Sequence, residues 1–128
     1  MFNPEICLYA KSHEWAHVDG ESATAGISDH AQHEITDVVY VELPQVGRVV
    51  EQGKPCAVVE SVKAAFDVYS PFSGEISEVN AELASHPEWV NQAPHGQGWF
   101  FKVRLAKPGE KENLMSFEQY REFIKTGK

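Results

Sequence analysis

The sequence predicts a mainly β fold: short antiparallel strands closed as a barrel or packed as a sandwich, a few short helices, and one helix near the C-terminus. Three observations predict it. Apolar and polar residues alternate with period two over much of the chain, as they do in strands with one buried face. Turn clusters such as Pro44-Gln45-Val46-Gly47, Gln52-Gly53-Lys54-Pro55 and Pro71-Phe72-Ser73-Gly74 recur every seven to twelve residues, which leaves room only for short strands. Near the end, Phe117, Tyr120, Phe123 and Ile124 form an apolar stripe at helical spacing, the pattern of a helix with one face against a core.

Taken in order, the segment from His13 to His17 is strand-like. Ser28-Asp29-His30-Ala31-Gln32-His33-Glu34-Ile35 begins with capping residues and predicts two helical turns. A half-buried strand follows, with Val39, Val41 and Leu43 on one face and Tyr40 and Glu42 on the other. Arg48-Val49-Val50-Glu51 is a further strand. Cys56-Ala57-Val58-Val59-Glu60 is a near-continuous apolar run, expected on the inside of a sheet. After Ser61-Val62-Lys63-Ala64-Ala65 the strand pattern resumes as Phe66-Asp67-Val68-Tyr69-Ser70, then as Glu75-Ile76-Ser77-Glu78-Val79. Asn80-Ala81-Glu82-Leu83 and Pro87-Glu88-Trp89-Val90 predict one helical turn each. Trp99, Phe101, Val103 and Leu105 alternate as the last strand, and Lys107-Pro108-Gly109-Glu110 is expected to be a hinge. A helix over about 116–125 completes the chain, with Ser116 as its cap and Gln119 closing a capping box. The stripe on that helix is expected to pack on the β body. No low-complexity linker divides the chain, so one domain over 1–128 is expected.

Composition narrows the function classes. Nineteen acidic residues against eleven basic ones give a net charge of −8, a field that repels phosphates and anionic lipid. Neither nucleic acid nor a membrane is an expected partner. Two cysteines, Cys7 and Cys56, are too few for a disulfide scaffold and read as reduced packing residues. No run is apolar enough to span a bilayer, and Met1-Phe2-Asn3-Pro4-Glu5 lacks the basic region of a signal peptide. A cytoplasmic location is the expectation, with a processed mitochondrial form as the alternative.

Several constellations fail on their chemistry. His13 and His17, four apart, and His30 and His33, three apart, have helical ligand spacing, but the first pair lies in strand-like sequence and nothing completes either set. Phe101 stands where a nucleotide fingerprint starting at Gly96 needs its third glycine. Cys56 enters an apolar run, the wrong setting for a nucleophilic thiolate. No enzyme is expected.

Lys63 is different. Gly47 precedes it by sixteen residues and Gly74 follows by eleven, so it sits near the middle of two strand–turn–strand groups. That arrangement suggests a pseudo-symmetric hairpin with Lys63 at the tip, where an amine stands clear of the body and the small Ala64 and Ala65 admit a modifying enzyme. Two roles remain open on the residues alone: attachment of a mobile group through an amide, or an ordinary solvated turn lysine.

Glu60-Ser61-Val62-Lys63-Ala64 resembles the lipoyl-attachment motif of glycine cleavage H proteins. The likeness extends in order through Ser12-His13-Glu14-Trp15, Gly26-Ile27-Ser28-Asp29-His30-Ala31-Gln32, Asp37-Val38-Val39-Tyr40-Val41-Glu42-Leu43-Pro44, Ser70-Pro71-Phe72-Ser73-Gly74-Glu75, Val79-Asn80, Val90-Asn91 and Gly98-Trp99. Biotinyl domains would show methionines beside the lysine, and 2-oxoacid dehydrogenase lipoyl domains an acid directly before it, where this chain has Val62 and Ala64.

The resemblance implies a lipoyl/biotinyl-type barrel-sandwich hybrid and a non-catalytic carrier with lipoate amide-linked to Lys63. Its implied partners are glycine decarboxylase (the P protein), aminomethyltransferase (the T protein), dihydrolipoyl dehydrogenase (the L protein) and lipoate-attaching enzymes. It also implies a surface cleft for the loaded arm, with Ser12, Glu14 and Asp67 as its polar residues. An H-like lipoate relay outside glycine cleavage is the alternative role. Three positions depart from the pattern: Glu34 where some relatives place histidine, Phe66 where a small polar residue is frequent, and His95 where tyrosine is common.

Overall fold

The computed structural model describes residues 2–126; Met1, Gly127 and Lys128, the ends of the expected 1–128 span, lie outside the described residues. The strands are β1 (Leu8–Tyr9), β2 (Glu14–Asp19), β3 (Ser22–Ile27), β4 (Val38–Glu42), β5 (Val49–Val50), β6 (Pro55–Ser61), β7 (Ala65–Tyr69), β8 (Gly74–Val79) and β9 (Phe101–Leu105). The helices are α1 (Asp29–Ile35), α2 (Trp89–Gln92) and α3 (Phe117–Lys125), with single 3-10 segments at Pro4–Ile6, Ala81–Ala84 and Pro108–Asn113. The fold is mainly β, as the alternation predicts.

Two antiparallel sheets form, one in the order β1-β2-β3-β9-β8-β5 and one in the order β4-β6-β7. Their inner faces meet in one apolar core, where Ala25, Phe101, Val103 and Ile76 from the larger sheet meet Val41, Val59 and Val68 from the smaller. Burying a side chain the size of Phe101 or Ile76 removes enough apolar area from water to contribute about 2–3 kcal/mol. Cys56 lies in this core and Cys7 in a second cluster. Both are free thiols, and burial pushes each up to about 12, so they act as packing residues.

β6 is central in its sheet, bonded to β4 on one edge and to β7 on the other, which is why Cys56–Val59 reads as a nearly unbroken apolar run. β6 and β7 form a hairpin, with Val58 opposite Asp67, Val59 opposite Phe66 and Glu60 opposite Ala65. The chain on either side of this hairpin also pairs with itself, Val49 opposite Glu75 and Val50 opposite Gly74. Gly47 and Arg48 bond to Ile76 at 2.8 Å in both directions. The symmetry about Lys63 seen in the glycine spacing is therefore physical.

Local chemistry explains the helices. The Ser28 hydroxyl accepts from Ala31 N and starts α1, while Ser116 and Gln119 complete the capping box of α3. The α3 stripe packs beside Tyr9 and Trp15, with Tyr120 stacked on Tyr9 at 4.4 Å.

Two expectations fail in detail, and one strand has no mark in the sequence. Val39 does not share a face with Val41: a β-bulge between Val38 and Tyr40 shifts the register, so Val38 and Val41 are buried while Val39 is 54% and Tyr40 48% exposed. Lys107–Glu110 is not a hinge. Pro108–Asn113 coils into a 3-10 segment, and the Glu110 carboxylate accepts from Ser73 N and Ser73 Oγ at 2.8 Å each, fastening it to the turn before β8. Finally, β3 is a full strand although Ser22-Ala23-Thr24-Ala25-Gly26 carries little apolar signal. A glycine is needed at 26 because Trp15 lies over it, and an added Cβ would stand 2.9 Å from the indole.

Gly74 marks the closest approach of two strands: a Cβ there would lie 1.9 Å from the Arg104 carbonyl oxygen. Gly74→Ala is expected to lower folding stability by about 3 kcal/mol in urea unfolding. Gly109→Ala, with nothing within 4 Å of the added atom, should leave it within about 0.5 kcal/mol.

Candidate functional site

The turn between β6 and β7 is built by one hydroxyl. Ser61, buried at the end of β6, accepts from Lys63 N at 3.0 Å and from Ala64 N at 3.3 Å, and its own N–H donates to Ala64 O at 2.9 Å. This short-range bonding tightens the reversal over Val62-Lys63-Ala64 and leaves those three side chains exposed. Lys63 stands at the tip, as the glycine spacing suggests. Its Nζ donates to the Glu34 carbonyl oxygen at 3.3 Å, near the C-terminal end of α1. Among the described residues the ion pairs are His86–Glu88, Lys102–Glu78, Arg104–Glu75 and Lys125–Glu122, so Lys63 takes part in none. Glu60 is exposed on β6 opposite Tyr40 and Ala65.

Beside this tip lies a cleft of about 230 Å³. Its polar lining brings Ser12 and Glu14 together with Asp67, more than fifty positions further along the sequence, and with Glu34. Ile27, Ile35, Val59, Phe66 and Val68 supply an apolar wall. Glu34 is common to the cleft and the resting place of the Lys63 amine. An aliphatic arm ending in a small polar head matches such a lining in both respects.

Glu14 is not a solvated acid. It is only 2% exposed, with the Ser12 hydroxyl donating to one oxygen and Tyr69 N to the other at 2.9 Å. Burial disfavours the carboxylate more strongly than these donors favour it, and the group is pushed up to about 7. Asp67 and Glu34 are exposed. His13 and His30 also face the cleft, their rings 5.1 Å apart, and His13 Nδ1 bonds the Tyr120 hydroxyl at 2.7 Å. Burial, followed by the neighbouring His30, lowers the His13 pKa and favours the neutral ring.

Of the departures noted in the sequence, Glu34 and Phe66 line the cleft and His95 does not. His95 stacks on Trp15 at 5.1 Å and bonds the Tyr9 hydroxyl at 3.3 Å, in a separate groove of about 1020 Å³ floored by Tyr9, Phe117 and Ile124. Burial there lowers its pKa to about 4. Among the described residues no group of three or more His, Cys, Asp or Glu side chains is arranged to hold a metal ion. Sequence reasoning missed the main-chain part of Glu34 and the wall residues Ile27, Ala31 and Val59, because nothing local marks residues that only the packing of α1 against the hairpin brings together.

The raised pKa of Glu14 has a consequence for stability. Between the unfolded carboxyl value near 4.5 and the folded value of about 7, the folded state holds the proton more tightly than the unfolded chain. Stability from this group is therefore complete at low pH and falls as pH rises through that window, by an amount on the order of 3 kcal/mol. Glu14→Gln should flatten the fall, and urea unfolding at pH 5 and pH 8 should show the variant gaining on the parent chain only at the higher pH.

The family described as Glycine cleavage H-protein matches residues 7–127 of the chain. A glycine cleavage system H protein from Alcanivorax borkumensis is 57% identical over 117 residues, covering 91% of each chain. Glycine cleavage system H protein 2, mitochondrial, of Arabidopsis thaliana is 55% identical over 115 residues, covering 90% of this chain and 74% of that one. The crystal structure of a glycine cleavage system H protein from Mycobacterium marinum superposes with a TM-score of 0.84 at 31% identity, covering 98% of each chain. Agreement of sequence over nearly the full length with agreement of fold places this chain in the glycine cleavage H-protein family.

Proposed function

We propose that the chain is a lipoyl carrier of glycine cleavage, a single domain over 1–128 that performs no catalysis itself and bears lipoate in amide linkage on Lys63. The observation that carries this reading is the exposed Lys63 amine on a tight turn, beside a cleft of the right character. When bound, lipoate would supply a dithiolane disulfide, a two-electron acceptor and carrier for the aminomethyl group left when glycine decarboxylase (the P protein) releases CO2 from glycine, with aminomethyltransferase (the T protein) and dihydrolipoyl dehydrogenase (the L protein) as the partners that would unload and reoxidise it. The relay role outside glycine cleavage has no observation in its favour.

This chain's residues hold and release. Glu60, Ser61, Val62 and Ala64 form the motif an attaching enzyme recognises around Lys63, with Ser61 holding the turn open to it. An amide at Nζ removes the positive charge and weakens the bond to Glu34 O. A tether of that length keeps its far end near the protein at an effective concentration on the order of mM. Ser12, Glu14 and Asp67 are the proposed polar contacts for a cationic head in the cleft. Glu14 is the one that changes with pH: a neighbouring ammonium favours its carboxylate, a charge-assisted contact in a site of low water content. Ile27, Val59 and Phe66 exclude water from the same space. The acidic surface suits positively charged faces on partner enzymes. A cytoplasmic location goes with this reading, and no helix of the described residues is long and apolar enough to cross a membrane.

Intact mass spectrometry of the protein from its own cells is expected to show a lipoyl-sized addition that is lost in Lys63→Arg. That variant should keep its thermal midpoint, since an exposed turn side chain contributes little to packing; an unmodified parent chain would overturn the reading. For the cleft, Glu14→Gln is expected to hasten loss of the aminomethyl group from the loaded protein, more at pH 8 than at pH 6, because a larger share of the parent Glu14 is charged at the higher pH. Equal decay at both pH values would remove Glu14 from the cleft's function.

A further inference from the structure

The connection from α1 to β4 holds a residue where its type is least at home. Thr36 has φ 67° and ψ −154°, a region that glycine enters freely and a β-branched residue enters only when its surroundings compel it. The chain must reverse there, because Ile35 is buried on one side of the reversal and Val38 on the other. Asn91, on the four-residue α2, grips the reversal at both ends. Its Nδ2 donates to Thr36 O at 2.8 Å, and its Oδ1 accepts from Val38 N at 2.8 Å. The same Nδ2 reaches Gln32 Oε1 on α1 at 3.1 Å.

Between these two bonds lies Asp37, and its carbonyl oxygen accepts from Val62 N at 2.9 Å. Three residues earlier, Glu34 O accepts from Lys63 Nζ. The tip of the β6–β7 hairpin is thus braced by two carbonyls, Glu34 O in the last turn of α1 and Asp37 O in the reversal after it, and the Asn91 side chain holds that reversal at both ends. The Val90-Asn91 pair, which takes no part in the cleft, acquires a use.

We infer that Asn91 is a positioning residue for the carrier amine: by clamping the strained 36–38 reversal it fixes the Asp37 carbonyl that sets the orientation of the Lys63 turn. The inference rests on the reading of Lys63 as the attachment point. Without the clamp, Thr36 relaxes toward ordinary backbone angles, Asp37 O leaves Val62 N, and the turn samples orientations that an attaching enzyme must select among. Selection of a partly populated conformer weakens apparent affinity in proportion to the population lost. The defect therefore falls on KM for the acceptor protein and spares kcat.

The test uses the unmodified full chain as acceptor for a lipoate–protein ligase supplied with lipoate and ATP, with amide hydrogen exchange read in parallel. In Asn91→Ala, KM is expected to rise about tenfold at unchanged kcat. Exchange at Val62 N–H should quicken by about tenfold or more, while Val59, within β6, stays protected. Asn91→Asp, which keeps the acceptor for Val38 N and loses the donor to Thr36 O, should show the same pattern and serves if Asn91→Ala does not fold. Adding Thr36→Gly to either variant removes the strain and should recover part of the lost affinity and of the Val62 protection, which a residue that merely stabilises the fold would not predict. An unchanged KM in a folded variant, or quicker exchange throughout β6, would overturn the inference. A parent chain that accepts no lipoate would sink the carrier reading instead, and Val62 exchange would still decide whether Asn91 holds the tip.

Discussion

Pairing of β6 on both of its edges is the constraint on which the site depends. Because β4 and β7 satisfy its backbone groups on either side and Val59 is buried beneath it, β6 has no freedom to slide: a shift of one residue would turn every core side chain outward. The turn at its end inherits that rigidity. Ser61 then converts a fixed strand end into a fixed reversal by accepting two backbone N–H groups with one hydroxyl. A long flexible lysine thus departs from a base that does not move, the requirement for carrying a group to a defined place while leaving the carrier end itself mobile.

The cleft beside the turn joins two kinds of surface. Its wall comes from the same apolar core that holds the sheets together, and its acids come from the start of β2 (Glu14), from β7 (Asp67) and from α1 (Glu34). Glu14 belongs to both, since its position on β2 buries it and its oxygens bond Ser12 and Tyr69. A carboxyl in that setting sits close to the balance between neutral and charged at physiological pH. A small change in its surroundings, such as the approach of a cation, is enough to tip it.

Much of this was legible in the residues, and the failures share a cause. The caps at Ser28 and Ser116 and the exposed turn at Lys63 follow from contacts within a few residues of each other, and the inner position of Cys56–Val59 shows as an unbroken run of apolar residue types. The bulge that turns Val39 outward, the fastening of Glu110 to Ser73 and the placing of His95 against Trp15 follow from contacts between distant segments. Alternation of residue types cannot register an extra residue in a strand, because the bulge is stabilised by the strand opposite. For the same reason β3 was faint in the sequence: Gly26 is small to admit Trp15, not to signal a strand.

By itself the sequence determined the antiparallel β character, the caps, the turn around Lys63 and the family likeness, since each is written in residue type and short spacing. Only the tertiary structure decided that Ser12, Glu14, Glu34 and Asp67 share one cleft, that Glu14 lies buried with a raised pKa, and that Asn91 reaches the segment bracing the lysine. The physical reason is that burial and desolvation belong to an environment assembled from several strands and helices at once, and no residue carries its environment with it along the chain.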